Sequence, residues 1–232
     1  MTGRAMNPEI QKPPDLADFA RLAEQYIPGR RAIFTIVEAS LLELIPEEAA
    51  RILVIGAGGG EEILRLGQDN PNWSFVGVDT NPAMVDLARQ RLDGSPVGPR
   101  SRIETTTIEA LEDSGFDAAT CILTAHFVPD DGAKLAFFEA IRSRLKPGAP
   151  LAIIDGIGVT GEVGTELLRR IWARHAMRNG VSKEAAVANA QNFKNVAVVS
   201  EAREEELLAG AGFEKLTPIF QGLSIKGWLA FA

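Results

Sequence analysis

Three observations predict an α/β protein built on a mostly parallel sheet with helices on both faces. From residue 51 onward, short β-branched or apolar runs alternate with segments of helical period, the pattern of strands joined by covering helices. A glycine-rich turn, Gly56 to Gly60, stands between the first of these runs and the helical segment after it. At the other end, Lys215 to Phe220 and Ile225 to Phe231 are separated by a short turn and read as an antiparallel hairpin at the sheet edge.

In chain order, Met1 to Asp15 is polar and proline-bearing and is expected to be loose. Asp15 to Tyr26 reads as a short helix, broken by Ile27-Pro28-Gly29. Ile33, Ile36, Val37, Leu41 and Leu44 then recur at helical spacing up to Pro46. Residues 15–46 are therefore expected to form an N-terminal helical cover. Five strands follow, at Ile52 to Ile55, Ser74 to Asp79, Arg102 to Thr107, Ala118 to Leu123 and Leu151 to Asp155. Pro82 suits a first helical turn, where its missing N–H is not needed, and Met84 to Leu92 continues that helix. Leu135, Phe138, Ile141 and Leu145 mark another, ended by Lys146-Pro147-Gly148. Residues 157–200 form an insertion with helices at Glu162 to Asn179, capped by Gly180, and from Lys183 to about Asn192, the expected substrate lid. Leu168, Ile171, Trp172 and His175 form a stripe on the first of these, with Arg170, Arg174 and Arg178 on the solvated face. With the helix Glu201 to Ala209 and the hairpin, the expectation is seven strands in one domain spanning residues 1–232.

Composition narrows the function. The chain has 24 Lys and Arg against 31 Asp and Glu, and no basic cluster interleaved with aromatics, which disfavours direct nucleic-acid binding. One cysteine excludes an internal disulfide, and no Cys/His cluster has zinc-ligand spacing, so no metal is expected. Glu38 and Glu43 interrupt the longest apolar candidate, so neither a signal peptide nor a membrane span is expected, and the protein reads as cytoplasmic.

The glycine turn is the chemical centre. Glycines at 56, 58 and 60 permit positive φ and remove the Cβ atoms that would hold a ligand off the backbone N–H groups at the helix start. Nineteen residues past Gly60, the second strand delivers Asp79 to the same edge, where a carboxylate can accept hydrogen bonds from both ribose hydroxyls. The fold is thus Rossmann-like and the ligand a nucleoside. A nicotinamide dinucleotide fingerprint needs glycine at 61, where this chain has Glu61.

The G-x-G-x-G spacing, with Val78-Asp79-Thr80-Asn81-Pro82-Ala83-Met84, resembles the first two motifs of class I S-adenosylmethionine (SAM) methyltransferases. The closing hairpin is similar too, so the resemblance covers nearly the whole chain. It implies SAM as cofactor, S-adenosylhomocysteine as product and transfer of the methyl group to a small-molecule acceptor by in-line displacement, in a protein compatible with a homodimer. It implies a cofactor site at Gly56, Ala57, Gly58, Gly60, Asp79, Thr80, Met84, Glu109, Ala110, Leu123 and Thr124. There Glu109 accepts from the adenine amino group and the Ala110 N–H faces a ring nitrogen. Two positions depart from the family pattern: Ile108 replaces a glycine, and Val54 stands where many members carry an acid, for which Glu61 or Glu62 is a substitute at the helix N-terminus.

The exit of the fourth strand faces the transferred methyl group in such folds, which makes His126 the candidate general base, since imidazole ordinarily titrates at roughly 6.5. The equally simple reading is a histidine packed between strand and helix. Tyr26, Arg30, His126, Trp172 and His175 are the candidate acceptor residues, and Cys121 reads as a small buried apolar group. Ile27-Pro28-Gly29, Asn81-Pro82-Ala83-Met84, Arg144-Leu145-Lys146-Pro147-Gly148, Ala211-Gly212-Phe213 and Phe220-Gln221 are most similar to the branch that includes carboxy-SAM synthases. In those enzymes an aromatic follows the first Pro-Gly and an arginine before Ala-Gly-Phe holds the extra carboxylate, whereas here Arg30 and Leu207 occupy these places. Carboxy-SAM synthesis is therefore the alternative, with a non-catalytic SAM-binding subunit a third reading. The acceptor and the methylated atom are not legible.

Overall fold

The computed structural model describes residues 16–45, 49–159, 161–192 and 196–232. The expected loose start and the Pro46 helix end lie outside them. The chain runs α1 (Leu16–Tyr26), α2 (Arg30–Leu44), β1 (Ala50–Ile55), α3 (Glu61–Asp69), β2 (Trp73–Asp79), α4 (Pro82–Leu92), β3 (Ser101–Thr105), β4 (Ala118–Ile122), α5 (Ala133–Arg144), β5 (Pro150–Gly156), α6 (Val163–Arg178), α7 (Lys183–Asn192), α8 (Glu201–Gly210), β6 (Glu214–Gly222) and β7 (Ile225–Phe231). The seven strands form one sheet in the order β3-β2-β1-β4-β5-β7-β6. The first five strands are parallel, and β7 runs antiparallel to both β5 and β6.

Strands with both faces covered read as continuous apolar runs rather than alternating ones, and β1 and β5 are such strands. Alternate side chains nevertheless go to different cores. Leu53, Ile55, Ala119, Cys121, Leu151 and Ile153 pack with Phe137, Phe138 and Ile141 of α5 and Leu207 and Leu208 of α8. Ile52, Val54, Ala118, Ala152 and Ile154 pack on the other face with α2, α3 and α4. Because β1 lies between β2 and β4, the chain leaves β1 toward one side of the sheet and later returns to the other. This creates the crevice at the strand carboxyl ends where α/β proteins place ligands. Gly56, Asp79, Leu123 and Gly156 stand at that edge.

Local chemistry sets the helix boundaries. Asn81 caps α4 by accepting from the Ala83 N–H at 3.0 Å, with Pro82 at the first helical position, and Ser200 caps α8 by accepting from Arg203 N–H. The cover and the insertion meet directly. Gln25 Nε2 donates to the Asn179 carbonyl at 2.7 Å, and Tyr26 packs with Met177 and Val181 against the alanines of α6 and α7.

The buried stripe of α6 differs from the expected one. Thr165, Arg169, Trp172, Ala173 and Ala176 face inward, Leu168 and His175 are half-buried, and Ile171 is 41% exposed. The small side chains at 173 and 176 allow close approach of α7. Helical period alone cannot rank them above larger apolar neighbours.

Trp228 on β7 is fully buried, and its indole N–H donates to Glu205 Oε1 at 2.9 Å. Replacing it with alanine empties the sheet–α8 interface, so Trp228→Ala is expected to destabilise the fold by about 3–5 kcal/mol, read as a lower urea midpoint.

Candidate functional site

The turn after β1 is pinned to the exit of β2. The Gly56 and Ala57 N–H groups both donate to the Val78 carbonyl, at 2.9 and 3.0 Å, and the Gly58 N–H donates to Asp79 Oδ2 at 2.8 Å. Gly56, Gly58 and Gly60 all have positive φ. At Gly56 a Cβ would fall 2.0 Å from Thr124 Oγ1, so the turn needs glycine for space as well as conformation. The expected cradle of N–H donors is corrected in part. At 56, 57, 58 and 60 these groups are consumed inside the chain, because the turn closes on β2 and, at Gly60, on the Ala57 carbonyl. What the turn presents is a surface free of side chains.

Asp79 is held at both oxygens, Oδ2 by Gly58 and Oδ1 by the Asn81 N–H at 2.9 Å, and is half-buried at the edge. Each carboxylate oxygen has a second lone pair to offer. Met84 is half-buried, its Cε 3.7 Å from where a Gly58 Cβ would lie, and Thr80 is exposed. Thr106 N–H donates to the Asp79 carbonyl and ties the β3 exit to the same edge. Beyond it Glu109 and Ala110 are exposed, and the Ala110 N–H, expected to face the adenine ring, donates to Thr107 Oγ1 at 3.3 Å. Glu109 is anchored through its carbonyl, which accepts from Arg144 Nη2.

Next to this edge, the β4 exit carries local strain. Leu123 adopts φ 53° without being glycine, a conformation that costs of order 1 kcal/mol. Its N–H donates to the Ile154 carbonyl at 2.7 Å, which draws the exits of β4 and β5 together. The short 3-10 turn Ala125–Phe127 follows and places His126 over β5. His126 Nδ1 lies 2.5 Å from Asp155 Oδ1, the last side-chain-bearing position of β5, and the His126 backbone N–H donates to the same oxygen. Behind Asp155, Lys134 Nζ lies 3.8 Å from its Oδ2 and 3.4 Å from Glu204 Oε2. Lys134, Asp155 and Glu204 are all buried, and burial, together with the Asp155 charge, pushes the Glu204 carboxyl up to about 7. The sequence marks His126, but its partners are missed. An acid ending a strand and a lysine opening a helix look like solvated charges until register brings them together.

The remaining expected residues are distributed around this edge. Arg30 is buried and forms a two-pronged ion pair with Glu61, at 3.0 and 2.6 Å, and a third contact with Glu24. It latches the start of α2 onto the helix behind the glycine turn, its guanidinium taken up by carboxylates. Tyr26 belongs to the α1–α6–α7 contact, and Trp172 to the core cluster that contains Ile154. His175 borders an open groove of about 600 Å³ with Arg30 and Arg31, and its Nε2 is 3.0 Å from Asn179 Nδ2. Neither this groove nor a cavity of about 420 Å³ between α2 and α3 is bounded by Gly58 or Asp79.

Glu62, considered above for the acid missing at Val54, turns inward. Its carboxyl is fully buried near Thr120, the strand partner of Val54 in the β1–β4 register, so it reaches the neighbourhood an acid at 54 would occupy. Burial raises it to about 7, and the nearby hydroxyl offsets that only in part.

SAM, the group implied by the sequence resemblance, fits the residues present. The ribose diol requires a strand-exit carboxylate with spare lone pairs, which is Asp79, and the amino-acid end requires a turn with little side chain, which is Gly56 to Gly60, where the Ala57 methyl is buried toward Gly77. Among the described residues no group of three or more His, Cys, Asp and Glu is placed to hold a metal ion, and no helix is long and apolar enough to cross a membrane.

Residues 53–151 match a family model described as a methyltransferase domain. The ubiquinone/menaquinone biosynthesis C-methyltransferase UbiE of Geobacter sulfurreducens is 31% identical over 134 residues, 56% of this chain and 50% of that protein. The carboxy-S-adenosyl-L-methionine synthase of Dichelobacter nodosus is 26% identical over 187 residues, 79% of this chain and 76% of that one. Among solved structures, a SAM-dependent methyltransferase from Aquifex aeolicus aligns with TM-score 0.59 at 19% identity, over 91% of this chain and 97% of that one. A structure described as a putative O-methyltransferase from Nostoc punctiforme gives 0.63 at 16%, over 86% and 55%. The structural likeness shows the fold, and the chain spans about half the length of the UbiE relative.

A carboxyl raised from 4.5 to about 7 in the fold stays protonated where the unfolded chain has ionised, so its contribution is complete below pH 4.5 and is lost as pH rises through about 7. Glu204 acts in the same direction. Thermal melts are therefore expected to show falling stability from pH 5 to 8. Glu62→Gln should flatten this slope and gain up to about 3 kcal/mol at pH 8, at about 1.36 kcal/mol per pKa unit.

Proposed function

We propose that this chain is a class I SAM-dependent methyltransferase and transfers the SAM methyl group to a small-molecule acceptor bound under α6 and α7. The observation that carries the reading is the Asp79 carboxylate. It is immobilised by the Gly58 and Asn81 N–H groups beside a turn whose side chains have been removed, at the sheet edge where β1 and β4 diverge. SAM supplies a methyl group on a sulfonium, already a good leaving group, so the protein's task is chiefly alignment. Holding the two reactants in line is worth roughly 7–11 kcal/mol.

The residues divide that task. Asp79 and the glycine turn hold the nucleoside and amino-acid ends, Met84 lines the same side, and Thr124 packs against Gly56 at the β4 exit. His126 takes the acceptor proton at Nε2, since Asp155 engages Nδ1 and holds the ring in the tautomer that leaves Nε2 as the base. The chain's helical cover and lid exclude water from the acceptor side. Carboxy-SAM synthesis is less well supported. Leu207 is buried and apolar at the place of the carboxylate-binding arginine, and Arg203, one turn away, is exposed and ion-paired with Asp130 and Glu206.

The test is mass spectrometry of nucleosides released from purified protein, with calorimetric titration of SAM and S-adenosylhomocysteine. Binding of both is expected, and Asp79→Ala should weaken each by about 100-fold through loss of the ribose contact and the fixed turn. Absence of binding to the unmodified protein would overturn the reading. Once an acceptor is found, His126→Gln should lower kcat by about 100-fold or more while leaving the KM for SAM unchanged, if His126 acts as a base rather than as packing.

A further inference from the structure

We infer that Arg169 binds a carboxylate of the acceptor, so that the substrates are small carboxylic acids; this rests on the methyl-transfer reading above. Thr165, Arg169 and Trp172 lie on one stripe of α6 at i, i+4 and i+7. The ends of that stripe are located by their contacts. Thr165 meets the chain just past β5, where its Oγ1 accepts from the Val159 N–H at 3.1 Å and its Cγ2 lies 2.9 Å from where a Gly158 Cβ would be. Trp172 joins the cluster containing Ile154, against which Leu123 of the β4 exit packs. Arg169 lies between them on the inward face of α6.

Arg169 is 6% exposed. Its Nη1 donates to Glu166 Oε1 at 2.6 Å, but Nη2 is buried and has no hydrogen-bond acceptor among the described residues. A guanidinium cannot shed its charge to relieve burial, so an unmatched pair of N–H donors inside the protein calls for an anionic oxygen. Glu166 does not fill that role, being one-third exposed and bonded at the other nitrogen. The charge balance selects the anion. Lys134 faces Asp155 and Glu204, Arg30 faces Glu61 and Glu24, and Arg203 faces Asp130, so these cations are already matched. With the Glu166 carboxylate already on Nη1, a dianionic phosphate would bring two further negative charges to one guanidinium, whereas a carboxylate brings one and accepts from the Nη2 donors.

The test uses the full chain saturated with S-adenosylhomocysteine, titrated with benzoate and with its neutral isostere benzamide, binding being followed by NMR. Benzoate is expected to bind at least about 10-fold more tightly than benzamide, Arg169→Gln to abolish that preference, and Arg169→Lys to keep part of it. The affinity for S-adenosylhomocysteine should change less than about twofold in both variants, which separates loss of the carboxylate contact from loss of the fold. Equal affinities for the two probes, failure of both to bind at millimolar concentration, or a benzoate preference surviving Arg169→Gln would overturn the inference. So would a carboxylated SAM released from the purified protein, since the carboxylate would then belong to the methyl donor. Failure to bind S-adenosylhomocysteine would instead overturn the reading beneath it.

Discussion

The closure of the β1 turn onto the β2 exit is the constraint on which the rest of the site depends. Val78 accepts two N–H groups from the turn, and Asp79 accepts a third, so turn and strand end form one rigid unit. The closure requires glycine at 56, because Thr124 occupies the space a side chain would need. Through Thr124 the unit extends to the β4 exit, and through Leu123 N–H to the Ile154 carbonyl it reaches β5. Four strand ends are thus referenced to each other by backbone hydrogen bonds and one close contact. The methyl transfer proposed above needs alignment, which such bonds hold better than long side chains.

Charge is handled differently on the two faces of the sheet. On the α2–α3 face, the Arg30 latch joins the cover to the glycine helix, and the cation also lies 4.9 Å over the Phe34 ring. Breaking one partner of such a pair leaves the other buried and uncompensated, so the latch acts as a specificity device for where the cover sits rather than as a large net stabiliser. On the α5–α8 face, Lys134 holds two buried carboxyls near one cation, and Glu204 resolves the excess negative charge by retaining its proton near neutrality. Asp155 joins this network to His126 through its Oδ1. The buried network thus links α5 and α8 to the β4 exit through Asp155 and His126.

The cover and lid make a helical layer across the ligand edge, yet they are far apart in sequence. Tyr26 and Gln25 touch the end of α6, and small residues on α6 admit α7. Larger side chains on α6, Arg169 and Trp172, are buried on the same helix, Trp172 in the core cluster that contains Ile154. Residues on an element built this way can vary while the sheet and its turn stay unchanged.

What the sequence by itself determined is the part ruled by local chemistry. Apolar period, Pro82 at a helix start and the two closing strands are properties of a few consecutive residues, and they are enough to locate the seven strands along the chain and to single out Gly56 to Gly60 and Asp79. Even there, the destination of the glycine N–H groups was not legible, since it depends on the neighbouring strand. The tertiary structure alone decided the pairings: His126 with Asp155, Arg30 with Glu61, Glu62 against Thr120, and the inward turn of Arg169. Each joins residues on different elements or a helix face chosen by its neighbours. A charged side chain looks the same in sequence whether it is solvated or buried, and only register and packing settle which it is.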